Sequence, residues 1–183
     1  MSINRPSLRT LADKQNLVGC EIGVGGGLNA YNILENLDIE MLYLIDPWLH
    51  HKGKPSYMKV RANNYEEEAM LLIKSYCPKV IIIRLLSIDA AKYIGVPLDF
   101  VYIDGSHHPK WVREDLNLYY PLVKQGGLVA GHDYNHSCNL YRVVDAFAKE
   151  LGVKVHSGVC DDSSVHDWWF FKKEEYNGRG NEA

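Results

Sequence analysis

Residues 17–37, LVGCEIGVGGGLNAYNILENL, carry the strongest structural signal in the chain. The apolar run that ends at Val24 predicts a β-strand, and the apolar residues from Ala30 to Leu37 recur with the spacing of one helix face. Between them, Gly25–Gly27 permit positive φ and a close approach of the backbone to a ligand. The unpaired N–H groups at the start of the helix lie beside this turn. The segment therefore predicts a strand–turn–helix unit with a ligand at the turn.

On both sides of this unit, short apolar runs alternate with amphipathic segments, which is typical of βαβ units around a mostly parallel sheet. The last two of seven predicted strands lack a long helix between them, so they can pair as an antiparallel hairpin. We expect an α/β, Rossmann-like sheet in the order 3-2-1-4-5-7-6, with strand 7 antiparallel and helices on both faces. A helix from Pro109 is expected to end at Gly126-Gly127. The predicted strands are Leu17–Val24, Met41–Ile45, Val80–Leu85, Asp99–Ile103, Leu128–Gly131, Val153–His156 and Trp168–Lys172.

The composition favours one globular domain over residues 1–175, followed by a polar tail, 176–183, that we expect to be disordered. The 183 residues are 46% hydrophobic and 23% charged, with a net charge of -3 and no basic stripe, which argues against a nucleic-acid partner. No apolar run reaches the roughly 18–20 residues that cross a membrane. The first residues lack a secretory signal, and the cysteines lack C-x-x-C spacing. We therefore expect a cytoplasmic protein without a membrane partner.

Asp46 ends the second predicted strand about 20 residues after the glycine turn, where a carboxylate can accept hydrogen bonds from both ribose hydroxyls. The glycine turn itself is ambiguous. Counted from Gly25 it matches G-x-G-x-x-A, a dinucleotide-binding pattern. Counted from Glu21 it is E-x-G-x-G-x-G, the form that methyltransferases use. These residues predict a nucleoside site and leave both ligands open.

Polar side chains also follow the fourth and fifth predicted strands. Asp104 and His107 come after the fourth strand, and His132 and Asp133 come after the fifth. Neighbouring parallel strands lie about 4.8 Å apart, so these groups can meet at one sheet edge. Such a cluster suits a divalent metal that holds an oxygen nucleophile, or direct general-base catalysis by His or Asp.

Three segments together resemble the class I methyltransferases of the family 24 type. They are EIGVGGGLNA (residues 21–30), LIDPW (44–48) and LDFVYIDGSHHPKWVREDLNLYYPLVKQGGLVAGHDY (98–134). That group is related to the macrolide and aminocoumarin sugar O-methyltransferases, and more distantly to catechol O-methyltransferase. The resemblance covers about residues 17–135, and IDGSHH and GGLVAGHDY are its most specific parts.

The resemblance implies S-adenosylmethionine (SAM) as cofactor, with its ribose on Asp46 and its adenine near Ser87. The residues that would line the cofactor are Glu21, Gly23, Gly25, Gly27, Asn29, Asp46, Ser87 and Asp104. In magnesium-dependent members, metal-binding acids follow the fourth and fifth strands, which match Asp104, His132 and Asp133 here. Histidine in place of a carboxylate at position 132 weakens the case for Mg²⁺ and leaves room for a metal-free histidine base.

The expected function is SAM-dependent methylation of a small-molecule oxygen, on a sugar or a phenol. The expected catalytic residues are Asp104, His107, His132 and Asp133. Two alternatives stay open: an NAD-dependent oxidoreductase, and a non-catalytic module that binds the cofactor or a partner chain. Because few residues precede the first strand, we expect the Trp48–Val60 loop, or a second subunit of a homo-oligomer, to close the site.

Overall fold

A computed structural model describes residues 3–48, 64–134, 139–161 and 166–173. The strands are β1 (Leu17–Ile22), β2 (Ile39–Ile45), β3 (Val80–Ile83), β4 (Leu98–Ile103), β5 (Val123–Gly131), β6 (His156–Val159) and β7 (His166–Phe171). The α-helices are α1 (Pro6–Arg9), α2 (Leu28–Asn36), α3 (Tyr65–Ile73), α4 (Ser87–Ala90), α5 (Pro109–Tyr119) and α6 (Leu140–Leu151). The predicted Trp48–Val60 loop beyond Trp48 and the predicted tail lie outside the described residues.

The seven strands form one sheet in the order β3-β2-β1-β4-β5-β7-β6. The first five strands of this order pair in parallel, and β7 runs antiparallel to both of its neighbours. The predicted α/β fold is confirmed, including the closing hairpin. The carboxyl ends of β1, β2 and β4 therefore meet at one edge of the sheet, beside the glycine turn.

Side-chain alternation along the strands builds two buried clusters, one on each face of the sheet. In one cluster Ile22 and Ile103 pack under α4, α5 and α6. In the other, Phe100 and Tyr102 pack with Leu8 of α1 and with apolar residues of α2 and α3. We call the second side the α1 face. Helices cover both faces, as predicted.

Two local predictions were wrong, and one helix was missed. The helix that begins at Pro109 ends at Tyr119, and β5 continues through Gly126-Gly127, because the backbone there exchanges hydrogen bonds of 2.9 Å with Lys172. Strand β6 begins at His156, since Gly152 ends the preceding helix in a left-handed conformation and Val153 still bonds back to Ala148. Helix α1 was not predicted. Among the described residues, every helix is too short or too polar to cross a membrane.

Candidate active site

The glycine turn after β1 packs tightly against two other elements. A Cβ at Gly23, whose φ is +88°, would lie 2.3 Å from the carbonyl oxygen of Asp104. A Cβ at Gly27, whose φ is +82°, would lie 2.7 Å from Cα of Ala69. These two positions therefore require glycine. A Cβ at Gly25 would meet no atom of the described residues within 4 Å, so within this part of the chain the turn faces open space at its centre.

Asp46 holds the same turn from the end of β2. One carboxylate oxygen accepts a 2.9 Å hydrogen bond from the backbone N–H of Gly25, and the other accepts a 2.8 Å bond from the N–H of Trp48. The indole N–H of Trp48 donates back to the Gly25 carbonyl at 2.9 Å. The structure thus places Asp46 beside the glycine turn, as predicted. Its role toward a ribose stays a prediction.

Glu21, which is buried, and the half-buried Asn29 form a hydrogen-bonded pair on either side of the turn. Asn29 Nδ2 donates a 3.1 Å hydrogen bond to Glu21 Oε1. Glu21 Oε2 and Asn29 Oδ1 are buried without a partner among the residues that the structure describes. Burial raises the pKa of Glu21 to about 8, and the charges of Asp104 and Asp46 act in the same direction. Two unpaired buried acceptors fit a ligand that donates hydrogen bonds, such as an ammonium group.

Ser87 lies apart from this pair. It begins α4, and its carbonyl accepts a 2.7 Å hydrogen bond from the Tyr119 hydroxyl. Burial raises the pKa of Asp115 of α5 to about 6, and its polar neighbour Ser87 opposes that rise. These contacts tie Ser87 to α5, and its proposed place near the adenine stays a prediction.

The four residues that were predicted to be catalytic do come together. Ile103 and Gly131 are paired in the parallel β4–β5 ladder, so the residues that follow them share an edge. Nδ1 of His132 lies 3.6 Å from an oxygen of Asp104 and 3.7 Å from an oxygen of Asp133. Nδ1 of His107 forms an ion pair with the other oxygen of Asp133.

The charges in this cluster stabilise one another. Burial alone would lower the pKa of His132, but the attraction of the nearby Asp104 and Asp133 carboxylates outweighs it and raises that pKa to about 9. The Asp133 carboxylate raises the pKa of His107. In return, His107 and then His132 hold the pKa of Asp133 well below its ordinary value. At neutral pH, His132 is therefore mainly an imidazolium beside an ionised Asp133.

The predicted metal site consists of Asp104, His132 and Asp133. Within the described residues, potential ligand atoms lie within 4.8 Å of one another in two other groups: Asp104, His107 and Asp133 at this edge of the sheet, and His132, Cys160 and Asp167 beside it. Both oxygens of Asp133 already face imidazoles, and a nitrogen-containing donor set fits hard Mg²⁺ poorly. A metal at this cluster stays a prediction.

Sequence analysis missed a buried polar network on the α1 face next to this cluster. Its centre is Asp167 of β7, which is fully buried. Its oxygens accept hydrogen bonds from the Ser7 hydroxyl at 2.5 Å, the Tyr102 hydroxyl at 2.7 Å and the Cys160 thiol at 3.3 Å. The guanidinium of Arg5 lies 4.0 Å from the same carboxylate. The sequence did contain a signal for this network, because the acid Asp167 directly precedes the apolar run WWFF of a predicted strand.

Several known proteins are similar to this chain. An uncharacterized protein of Acanthamoeba polyphaga mimivirus is 28% identical over 130 residues, which cover 70% of this chain and 56% of that protein. The chain thus spans little more than half the length of this curated relative. The family model described as Methyltransferase domain, family 24, matches residues 20–134.

Solved structures of methyltransferases share the fold. The O-methyltransferase TomG from Streptomyces achromogenes, in complex with SAM, has a TM-score of 0.67 at 14% identity, covering 92% of this chain and 78% of TomG. A precorrin-6y C5,15-methyltransferase from Geobacter metallireducens has a TM-score of 0.66 at 14% identity, with coverage of 91% and 85%. An rRNA methylase from Streptococcus thermophilus has a TM-score of 0.65 at 12% identity, with coverage of 95% and 100%.

The family match includes the glycine turn, Asp46 and the whole acid–histidine cluster. It favours the methyltransferase interpretation of the turn over the dinucleotide one. Because the model matches more than half of the 183 residues, this chain belongs to the family 24 methyltransferase domains.

Proposed function

We propose that this chain transfers a methyl group from SAM to an oxygen atom of a small-molecule acceptor of the sugar or phenol class. The observation that carries the proposal is the placement of His132 between two carboxylates, 3.6 and 3.7 Å from Asp104 and Asp133, at the sheet edge that holds the glycine turn. The net charge of -3 does not favour an RNA acceptor. A homo-oligomer and a cytoplasmic location are further parts of this proposal.

The residues around the glycine turn fit the cofactor. Unpaired Glu21 Oε2 and Asn29 Oδ1 would accept hydrogen bonds from its ammonium group, and Asp46 would accept them from its ribose. The open space at Gly25 leaves room for a ligand against the backbone. When bound, SAM supplies an electrophilic methyl group on a sulfonium centre.

The protein must align the acceptor oxygen and remove its proton. In our proposal, His132 holds the acceptor oxygen at the end of β5. As an imidazolium it stabilises an oxyanion, and in its neutral form it takes the acceptor's proton at Nδ1, because Nε2 is buried. Asp104 and Asp133 orient the ring through Nδ1. His107, whose side chain is 57% exposed, passes the proton from Asp133 to solvent.

Isothermal titration of the purified protein with S-adenosylhomocysteine (SAH), and separately with NAD⁺, tests the cofactor. We expect SAH to bind with a dissociation constant on the order of micromolar, and NAD⁺ not to bind. Binding of NAD⁺ alone would instead support the oxidoreductase. Binding of neither ligand would favour a non-catalytic module.

The Asp133→Ala variant tests the catalytic cluster. It should lose turnover with an accepted substrate and keep its SAH affinity, because Asp133 orients His107 and His132 and is not among the predicted cofactor contacts. Loss of SAH binding in this variant would contradict the assignment.

A further inference from the structure

Arg5 lies on the same face of the sheet as Glu21, close to the predicted cofactor site. Its guanidinium carbon is 6.0 Å from the ring centre of Tyr102. Tyr102 and Glu21 are register partners in the parallel β1–β4 ladder, so their side chains project from the same face on adjacent strands. Arg5 therefore sits one strand away from Glu21, on the α1 face.

The hydrogen-bonding capacity of Arg5 is largely unused. A guanidinium carries five N–H donors, yet among the described residues Arg5 donates only to Cys160 Sγ, at 3.3 Å, and a thiol is a weak acceptor. Asp167 Oδ1 is too distant, at 4.0 Å, for a hydrogen bond. The Arg5 side chain is only 12% exposed. Asp167 already supplies one negative charge at 4.0 Å, but a nearly buried guanidinium whose other donors lack a partner among the described residues can hold a second, closer anionic acceptor.

The predicted cofactor site is otherwise acidic. Glu21, Asp46 and Asp104 meet at its edge. Arg5 is close enough to two of these acids to interact with them: its charge partly opposes the rise in the pKa of Glu21 that burial causes, and the Asp104 carboxylate helps to raise the pKa of Arg5. An amino-acid ligand brings both an ammonium and a carboxylate. The acceptors of Glu21 and Asn29 suit the ammonium, and a carboxylate that enters this acidic surrounding needs a cation.

We propose that Arg5 binds the α-carboxylate of the methionine part of SAM, so that the amino acid is held between Arg5 and the Glu21–Asn29 pair. This inference rests on the proposed function. The planar guanidinium fork matches the two oxygens of a carboxylate. The alternative partner for the carboxylate is the row of backbone N–H groups at the start of α2.

The test compares two ligands on three variants by isothermal titration. SAH carries the α-carboxylate, whereas its decarboxylated analogue keeps the adenosine, the thioether and the amine. Arg5→Met should weaken SAH binding by about 10- to 100-fold and leave the binding of the analogue unchanged, because a charge-assisted contact is lost only with SAH. Arg5→Lys should give a smaller loss with SAH alone, since it keeps the charge but not the fork.

Arg9→Met is the matched control, because Arg9 lies only four residues after Arg5, at the end of α1, but pairs with Asp161 at the surface. It should change neither affinity. Circular dichroism checks that each variant is folded. If Arg5→Met unfolds because it removes the positive charge beside Asp167, the binding of the two ligands is compared in Arg5→Lys instead. Equal losses for both ligands, or no loss for either, would overturn the inference and assign the carboxylate to α2. Absence of SAH binding to the unmodified protein would overturn the proposed function itself.

Discussion

The side-chain amide of Asn29 donates its hydrogen bond to one oxygen of Glu21 and leaves the other oxygen buried without a partner among the described residues. An ionised carboxylate in this position would be costly, and the pKa of Glu21 is accordingly raised to about 8. In the ligand-free protein at neutral pH, Glu21 is therefore mainly protonated. Arrival of an ammonium group would favour ionisation, which couples ligand binding to proton release.

Glu21→Gln should stabilise the ligand-free protein at alkaline pH and weaken SAH binding at least tenfold. The folded-state pKa of Glu21 lies above its unfolded value of 4.5, so its favourable contribution is complete below about pH 4.5 and is lost as the pH rises to about 8. Glutamine does not ionise, and we expect a melting temperature about 2–5 °C higher at pH 8.5. Thermal unfolding from pH 5 to 9 measures the difference.

Glu40→Gln provides the control, because Glu40 is exposed on β2 and should alter neither stability nor affinity. If Glu21→Gln gave the same pH dependence of melting as the unmodified protein, the buried carboxyl would not be the group that titrates.

Alanine substitutions in the glycine turn should separate packing from ligand binding. Gly27→Ala brings a Cβ to 2.7 Å from Ala69 at a φ of +82°, and should cost at least about 2 kcal/mol of unfolding free energy. Gly25→Ala meets open space at a φ of +53°, and should cost only about 1 kcal/mol. Its methyl group would enter the predicted cofactor space, so SAH affinity should fall more than stability. Urea denaturation and titration calorimetry give the two quantities.

Gly95→Ala serves as the reference, since its Cβ would also meet nothing within 4 Å and its φ is not positive. If Gly25→Ala bound SAH as tightly as Gly95→Ala, the glycine turn would not be part of the cofactor site.

The parts of the molecule that follow local patterns could be predicted from the sequence. The sheet order was predicted from the alternation of strands and helices and from the lack of a long helix between the last two strands. Without such a helix, a hairpin is the simplest connection between them. The meeting of Asp104 with His132 also followed, because parallel strands end at one edge and their terminal residues become neighbours.

The buried network on the α1 face could not be predicted in this way. Ser7 and Asp167 are 160 residues apart in the chain, and nothing local to either residue indicates the other. Helix α1 has four residues, too few for a periodic pattern. The prediction that a helix ends at Gly126-Gly127 was wrong for a related reason. Glycine often ends a helix, but here the pair belongs to a strand that bonds to Lys172, which lies far along the chain.

Tyr102→Phe should destabilise the protein by about 1–3 kcal/mol, because it removes a 2.7 Å hydrogen bond from a fully buried carboxylate. Urea denaturation measures the loss. Tyr43→Phe is the matched control, since Tyr43 is also buried within β2, at 5% exposed, and its hydroxyl has no hydrogen bond to the described part of the chain. Equal stability of the two variants would show that Asp167 does not depend on this donor.

The charge state of His132 should govern the pH dependence of methyl transfer. The two carboxylates raise its pKa to about 9, so the neutral imidazole that can accept a proton appears only as the pH approaches that value. We expect kcat/KM to rise tenfold per pH unit below about pH 9 and then to level off. Asp104→Asn removes the carboxylate that lies 3.6 Å from His132 Nδ1. It should therefore move the inflection of the pH–rate profile at least one pH unit lower, toward the ordinary pKa of histidine.

The same shift can be measured without an acceptor, by following the His132 ring protons in NMR spectra of the ligand-free protein, with His132→Asn identifying the signal. Because the folded-state pKa is the higher one, the stability that His132 contributes should be complete below about pH 6.5 and be lost as the pH rises to about 9. In Asp104→Asn, the pH range over which this stabilisation is lost should be narrower, because its upper limit falls with the pKa of His132. A His132 titration that stays near pH 9 in Asp104→Asn would assign the raised pKa to Asp133 alone, and Asp104 would then be left as a cofactor contact with no part in removing the proton.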